Sequence, residues 1–305
     1  MPGKSFSGAL PPLSPDESQI QADLKENVSR LSVNIGERNV DVYERLELSA
    51  RWIEDSFNGL GFSVQSQEYK VGTRKVRNLI AEFPGAGKAN EIVVVGAHYD
   101  SVDVDNSPGA DDNASGVAAL LELARLLKGT HPERTLRFVA FVNEEPPWFQ
   151  TENMGSLVYA RAAHERHDKI VAAISLETIG LYSDVAGSQQ YPEPMGLLYP
   201  DRGNFIGFVG NLSSRTLVRR AIGSFRKTTS FPSEGSAAPA WLPGIGWSDH
   251  WSFWQVGYPA IMITDTAPFR NPNYHRRTDK LETLDFDRMA RVVHGLAAVV
   301  TDLGK

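Results

Sequence analysis

The chain contains no cysteine among its 305 residues. That absence removes disulfides, thiolate nucleophiles and thiolate zinc sites, so any metal has to be held by histidine and carboxylate. Long apolar runs are missing too: nothing approaches the roughly 20 residues that cross a bilayer, and a membrane span has no support. Positive charge never gathers into a block. The formal net charge is -6, with no Lys- or Arg-rich cluster of the kind that neutralises phosphates, which argues against a nucleic-acid partner. The N-terminal MPGKSFSGALPPL has no apolar h-region, so no signal peptide is legible in it. The compartment stays open between cytoplasm and export with a leader removed, and the oligomeric state stays open as well.

What is present is ordinary for a soluble globular protein: 41% hydrophobic and 22% charged residues, in a length that fits one large domain with a sizeable core. Residues 1–13, rich in Pro, Gly and Ser, read as a flexible lead-in, and residues 14–305 as a single domain. Ser14-Pro15-Asp16-Glu17 combines a capping serine, a proline at the first helical position and a glutamate three residues after the cap. A helix is expected there, with Ile20, Leu24, Val28 and Leu31 at helical spacing. A second helix is expected over about 41–58, with Val42, Leu46, Ile53 and Phe57 inward and Gly59 stopping it.

Apolar runs rich in strand formers then alternate with helical patterns, the βαβ signature of a largely parallel sheet. EIVVVGA lacks polar alternation, as expected of a central strand covered on both faces. The expected architecture is α/β, a single-domain three-layer α/β/α sandwich around a mixed, mostly parallel sheet. Residues 146–155, 183–204 and 230–248 read as long loops that wall a site. The third leads into SDHWSFWQ, so Trp241, Trp247, Trp251 and Trp254 fall close together, as an aromatic pocket wall or as ordinary packing.

Three strand-like runs end on residues that carry chemistry: EIVVVGAHYD on His98 and Asp100, TLRFVAFVNEE on Glu144 and Glu145, and IVAAISLETIG on Glu177 near its close. Ligand sites lie outside the carboxyl ends of parallel strands, so these side chains are expected to converge on one crevice, with a metal ion as its occupant. His98 and Asp100 are two apart and face the same way in extended chain, where the carboxylate fixes the tautomer of a ligating histidine. Taken alone, the pair also fits a surface histidine beside an aspartate. Asp111 and Asp112 in PGADDNASG precede a helix expected near Ala114, a place that equally suits plain N-terminal capping. Glu144 and Glu145 repel one another unless a cation or proton is near, and they point in opposite directions along an extended chain. One can then bind metal while the other takes a proton from water that zinc acidifies towards a pKa of about 7; taken alone, the two fit a solvated acidic pair in a loop equally well. His275, in the polar loop NPNYH, completes a nitrogen and oxygen set suited to zinc and acceptable to manganese or cobalt.

The order GAHYDSV, PGADDNASG, FVNEE, SLETIG, SDHWSF and YHRRTD resembles the M28 family of zinc metallopeptidases, which includes dizinc leucyl aminopeptidases, glutamate carboxypeptidases and the related glutaminyl cyclases. The likeness runs from about residue 75 to the end, and GADDNASG with the paired glutamates is far more specific jointly than any single motif. It implies one or two Zn2+ ions, with His98 and Glu177 on one, Glu145 and His275 on the other, and Asp112 bridging both. It further implies Glu144 as general base and Asp100 as the partner that orients His98, and leaves Asp111 a neighbour. Asp249 and His250 match a family motif that stands behind the ligands or faces substrate, and Trp247 and Trp251 beside them are expected to do the same. The family usually has aspartate, in a segment like NLDMIG, where this chain has Glu177 in SLETIG. The extra methylene moves the carboxylate by roughly 1.5 Å, which puts occupancy of the site made by His98, Asp112 and Glu177 in question. EEPPWFQTENMGS is longer and more aromatic than the family's short Gly-rich turn and is expected to reshape the substrate pocket.

The implied activity is hydrolysis of a peptide or small amide substrate, most naturally removal of an N-terminal residue, with Glu144 moving the proton. Two other readings stand beside it. A glutaminyl cyclase is a transferase on the same scaffold that typically uses one metal and an aromatic pocket. A relative that has lost its metals would be a non-catalytic binding module.

Overall fold

A computed structural model of the chain describes residues 1–104, 106–193 and 195–305. Its centre is one eight-stranded sheet: β1 (Val64–Val71), β2 (Arg74–Phe83), β3 (Lys88–His98), β4 (Arg134–Phe141), β5 (Lys169–Glu177), β6 (Ile206–Asn211), β7 (Ser233–Ala238) and β8 (Ala260–Thr264). Their order is β1-β2-β4-β3-β5-β8-β6-β7. The four middle strands β4, β3, β5 and β8 run parallel, β1 and β2 are antiparallel additions on one side, and β6 is antiparallel to β8 on the other. The sheet is mixed, and its parallel heart is where the chemistry-bearing strands lie side by side.

Helices cover the two faces unequally. On one face lie α1 (Pro15–Ser29), α2 (Tyr43–Gly59), α3 (Gly116–Leu127), α5 (Arg215–Thr228) and the closing α7 (Phe286–Leu303); on the other lie the shorter α4 (Gly155–Glu165) and α6 (His250–Gln255). The strand β3 shows why both faces need covering: Val93, Val95 and Ala97 join the larger core while Ile92 and Val94 join the smaller one with Phe141, Tyr159 and Phe253. Alternate residues point to opposite faces, so a strand apolar at every position has to be buried twice. Gly96 belongs to this packing, because a Cβ there would lie 2.3 Å from the Phe141 ring.

Local chemistry sets the helix ends. Ser14 Oγ accepts from the Glu17 amide at 3.1 Å while Glu17 Oε2 accepts from the Ser14 amide at 2.8 Å, the reciprocal box expected of the sequence. Ile20, Leu24, Val28 and Leu31 are fully buried, as are Leu46, Ile53 and Phe57, whereas Val42 is only partly covered. The second helix does not stop through Gly59, which is its last helical residue; the left-handed position is Gly61 at φ 89°. The amides of Gly61 and Phe62 turn back to the carbonyls of Asn58 and Phe57 at 2.8 and 3.1 Å, a Schellman ending.

One strand lies in a stretch expected to be irregular, and one helix in a run to which the sequence assigns no element. β7, inside the 230–248 stretch, has the sequence SEGSAA, whose small residues carry little strand propensity; it is a strand because β6 pairs with it along its whole length. α6 is six residues long, too short for a periodic signal. Residues 1–13 carry no helix or strand, yet they lie against the body: Ser5 Oγ accepts from the Ser233 amide at 2.9 Å, Arg226 Nη1 donates to the carbonyls of Pro2 and Gly3 at 3.3 and 3.0 Å, and Leu10 packs on the core.

Arg38 ties the helical layer to the strand ends. Its fully buried guanidinium donates to the carbonyls of Tyr99, Gly36, Pro108 and Gly109 at 2.7, 3.2, 2.6 and 2.8 Å. Burial pulls its pKa down to about 10, with Asp100 and Asp279 opposing, so the charge is retained at neutral pH. Removing it strands four carbonyls in a dry region. Arg38→Ala is expected to cost about 3–5 kcal/mol of stability, read as a lowered denaturation midpoint. Arg38→Lys should recover little of it, since one ammonium cannot span the fork.

Candidate metal centre

The carboxyl ends of β3, β4 and β5 bring His98, Asp100, Glu144, Glu145 and Glu177 together, and the segment after β8 brings His275. Asp112 reaches the same place from the tight-turned segment Ala110–Ser115, where its φ and ψ of -109° and 90° break the helical path before α3 begins. Neither aspartate caps α3, whose N-cap residue is Ser115. The capping alternative therefore does not describe this turn. Asp279 shapes it instead, its two oxygens accepting from the amides of Asp111 and Asp112 at 2.9 and 3.1 Å. Asn113 pins the turn to β5, donating to the Leu176 carbonyl at 2.8 Å and accepting from the Thr178 amide at 3.1 Å.

Two donor clusters result, His98 with Asp112 and Glu177, and His275 with Asp112 and Glu145. His98 Nε2 is 3.3 Å from Asp112 Oδ1 and 3.3 Å from Glu177 Oε2. His275 Nε2 is 3.2 Å from Asp112 Oδ2 and 3.1 Å from Glu145 Oε2. The two oxygens of Asp112 thus serve different clusters, the disposition a bridging carboxylate needs. A tetrahedral ion with ligand distances of about 2.0–2.1 Å sets its ligand atoms about 3.3–3.4 Å apart, and the observed separations match that edge. Both inward imidazole nitrogens, and Glu145 Oε1, are buried without a hydrogen-bond partner. Lone pairs withheld from every protein donor are what a metal site requires.

The electrostatics agree. Burial pushes the Glu144 carboxyl well above its ordinary range, with Glu177, Glu145 and Asp249 adding and His98 opposing. Burial likewise raises Glu145, to about 8, and Glu177. Burial would lower the imidazoles, but the surrounding carboxylates overrule it, carrying His98 well up and His275 to about 10. A dry crevice holding this many carboxylates takes up protons unless another cation balances them.

The longer side chain of Glu177 is accommodated in its cluster. Ser248 Oγ donates to its Oε2 at 2.6 Å and is itself within 2.9 Å of Ser175 Oγ. Asp100 has a wider task than orienting an imidazole. Its carbonyl lies 3.2 Å and its carboxylate 3.5 Å from His98 Nδ1, while its two carboxylate oxygens accept from the amides of Glu144 and Glu145 at 3.2 and 3.1 Å. One aspartate sets both the histidine and the paired glutamates.

The remaining sequence candidates divide. Asp111 turns away from the clusters, accepting from the Gly180 amide at 2.9 Å and from Asn271 Nδ2 at 2.7 Å. Asp249 is fully buried among His98, Glu177 and Asp100, and burial lifts it to about 7. His250 Nε2 meets the Ile245 carbonyl at 2.7 Å, and burial lowers its pKa to about 4. Both stand behind the clusters. Of the four neighbouring tryptophans only Trp247 lines the apolar pocket beside Glu177, stacked on Phe269 with centroids 5.9 Å apart. Trp251 does not line it, Trp254 donates to the Ala260 carbonyl at 3.0 Å, and Trp241 is 80% exposed. The aromatic wall comes instead from the 183–204 loop, with Tyr191 and Tyr199, together with Phe205 and Tyr274. Among the described residues, none from 146–155 lines it.

Asp279, Ser248 and Asn113 lie inside motifs singled out in the sequence, but no role was legible for them. Each acts by holding a neighbour's backbone or carboxylate, which spacing alone does not show.

Residues 78–300 match the model for peptidase family M28. The chain belongs to that family. Membership of M28 makes it a hydrolase of the metallopeptidase class. Escherichia coli K12 has a protein named Uncharacterized protein YfbL that is 40% identical over 284 residues, 91% of this chain and 86% of that one. Leucine aminopeptidase 1 of Metarhizium robertsii is 26% identical over 274 residues, 84% of this chain and 63% of that protein. BSAP, a zinc aminopeptidase from Bacillus subtilis, shares the fold at a TM-score of 0.74 and 16% identity, covering 93% of this M28 chain and 95% of its own. A Bacteroides thetaiotaomicron glutaminyl cyclase shares it at 0.70 and 18%, over 92% and 97%.

Asp100→Asn removes one acceptor from the two glutamate amides and weakens the hold on His98. Zinc affinity, measured by competition with a chromophoric chelator, is expected to fall about 10–100-fold. An unchanged affinity would assign Asp100 no part in arranging the donors.

Proposed function

We propose that this M28 chain is a zinc-dependent aminopeptidase that removes N-terminal residues from peptides. The observation that carries the reading is Asp112, one carboxylate with an oxygen in each of two three-donor clusters, each offering a free imidazole nitrogen. Three protein donors per cluster leave room for water or substrate, as in catalytic zinc sites. His98, Asp112 and Glu177 would hold one ion, and Asp112, Glu145 and His275 the other. An ion held there would supply Lewis acidity, to polarise a carbonyl and acidify water.

The remaining work falls to side chains of this chain. Glu144 Oε2 stands 3.8 Å from His98 Nε2 without belonging to either donor cluster, so it is free to take a proton from the attacking water and return it to the leaving amine. Its burial favours the protonated form, which suits the second half of that cycle. Asp100 keeps Glu144 in place through its backbone amide, and Ser248 keeps Glu177 turned towards His98. The acidic surroundings, Glu144, Glu145, Glu177 and Asp249, suit a substrate that presents a free amine. The name of the Metarhizium robertsii relative supports the same reaction.

The second reading is glutaminyl cyclisation, favoured by the aromatic wall of the pocket. Two complete donor clusters weigh towards hydrolysis. Incubation with a glutaminyl peptide separates the two by product, a free amino acid in one case and a cyclised N-terminus with ammonia in the other.

Glu144→Gln is expected to bind zinc like the parent and lose about 10²–10⁴-fold in turnover, read by metal analysis beside a fluorogenic aminoacyl assay. Near-normal turnover would remove Glu144 from proton transfer. Treatment with 1,10-phenanthroline is expected to abolish cleavage and added zinc to restore it; activity that survives complete metal removal would overturn the metallopeptidase mechanism for this chain.

A further inference from the structure

Beside the donor clusters the sheet has a face that loops and the short helix Ala267–Arg270 cover. β8, β6 and β7 present Met262, Thr264, Gly207, Val209 and Glu234 to the pocket, and the loops above close it with aromatic rings. The register across these strands is continuous: Glu177 pairs with Thr264, Thr264 with Gly207, and Gly207 with Glu234. One row therefore starts at a donor carboxylate, crosses a small residue and a glycine, and ends at a second carboxylate. Three strand spacings of about 4.8 Å place the two glutamate backbones about 14 Å apart. Both side chains line the same pocket.

Glu234 is an unusual residue for this wall. The rest of the lining is mainly apolar and aromatic, including Tyr191, Phe205, Val209, Trp247 and Met262. Its ion pair with Arg226 is long, with Nη2 3.9 Å from Glu234 Oε2. Arg226 spends its fork elsewhere, on the Ser233 carbonyl and hydroxyl and on the carbonyls of Pro2 and Gly3. Burial raises the Glu234 carboxyl above its ordinary range, with Arg226, Ser5 and the Met1 amine opposing only in part, so a further cation on the pocket side favours its charged form.

We infer that this pocket selects substrates whose N-terminal side chain is long and cationic, with an apolar stem over Val209 and Met262 and its charge on Glu234. The lengths agree. Of the roughly 14 Å between the glutamate backbones, a few ångströms separate Glu177 from a carbonyl held beside it, and a charged hydrogen bond takes about 2.8 Å. The remainder is close to the 6–7 Å that an extended lysine or arginine stem covers at roughly 1.25 Å per bond. A leucine side chain ends well short of Glu234. The aromatic walls add cation–π attraction along the way. This inference rests on the aminopeptidase reading for its kinetic arm and is independent of it for its binding arm.

The kinetic arm compares kcat/KM for lysyl, arginyl, norleucyl and glutamyl aminomethylcoumarin amides on the zinc-loaded parent and on Glu234→Gln and Glu234→Lys. Norleucine has the lysine stem without its charge. The parent is expected to favour lysyl and arginyl over norleucyl, and Glu234→Gln to reduce the lysyl-to-norleucyl ratio about tenfold or more. Glu234→Lys should move the preference towards glutamyl. The binding arm titrates lysine amide and norleucine amide calorimetrically into the same proteins, with zinc content measured in each. The parent is expected to bind lysine amide the more tightly, and Glu234→Gln to lose that margin. A lysyl-to-norleucyl ratio that is the same in the parent and Glu234→Gln, in both arms, overturns the inference while leaving the aminopeptidase reading intact. If no amide is cleaved by the parent, the peptidase reading fails and the binding arm alone decides the pocket.

Discussion

The constraint on which this structure depends is negative charge kept out of water. Asp112, Glu144, Glu145 and Glu177 are buried together beside His98 and, at the mouth, His275. Carboxylates lose several kcal/mol of solvation in such a place and repel one another as well. They hold their positions because fixed polar groups, acceptors for their backbone amides and donors to their far oxygens, grip them. Asp100 takes the amides of the glutamate pair, Asp279 those of the aspartate pair, Ser248 an oxygen of Glu177, and Arg38 the carbonyls of the loop between. The histidine nitrogens are left over, and their freedom is the mark of a metal centre.

This economy explains why the polar scaffold lies beneath the site and the apolar pocket beside it. The parallel strands β3, β4 and β5 end in donors, so their edge is polar. β6, β7 and β8 extend the same sheet, and there the aromatic residues of the loops and of the short helix Ala267–Arg270 line the pocket. Chemistry and selection then occupy neighbouring parts of one crevice, joined by the row from Glu177 to Glu234. Lipid-like apolarity with a charge at its far end favours a particular shape of side chain more than a greasy slot would, because an unpaired buried charge penalises the wrong one.

Much of the fold was legible. The capped first helix and the apolar β3 run both occur where the sequence pattern puts them, since their signals are local. The miss at β7 has a physical cause: Ser, Gly and Ala specify no strand until β6 offers a partner. Gly59 and Gly61 illustrate a finer limit, because two glycines near a helix end compete and only the observed backbone shows which one turns left-handed. The four tryptophans from Trp241 to Trp254 fit a pocket wall or ordinary packing equally well in sequence; the fold separates them, and of the four Trp247 lines the pocket.

By itself the sequence determined the donor types, their strand-end positions and, with cysteine absent, the restriction to nitrogen and oxygen ligands. Those follow from covalent identity and from the rule that parallel strands end on one edge. Only the tertiary structure decided that the two oxygens of Asp112 face different histidines, that Glu177 fits despite its extra methylene, and that Glu234 lies across the sheet from it. Each of these depends on distances between segments remote in the chain, which local pattern does not encode.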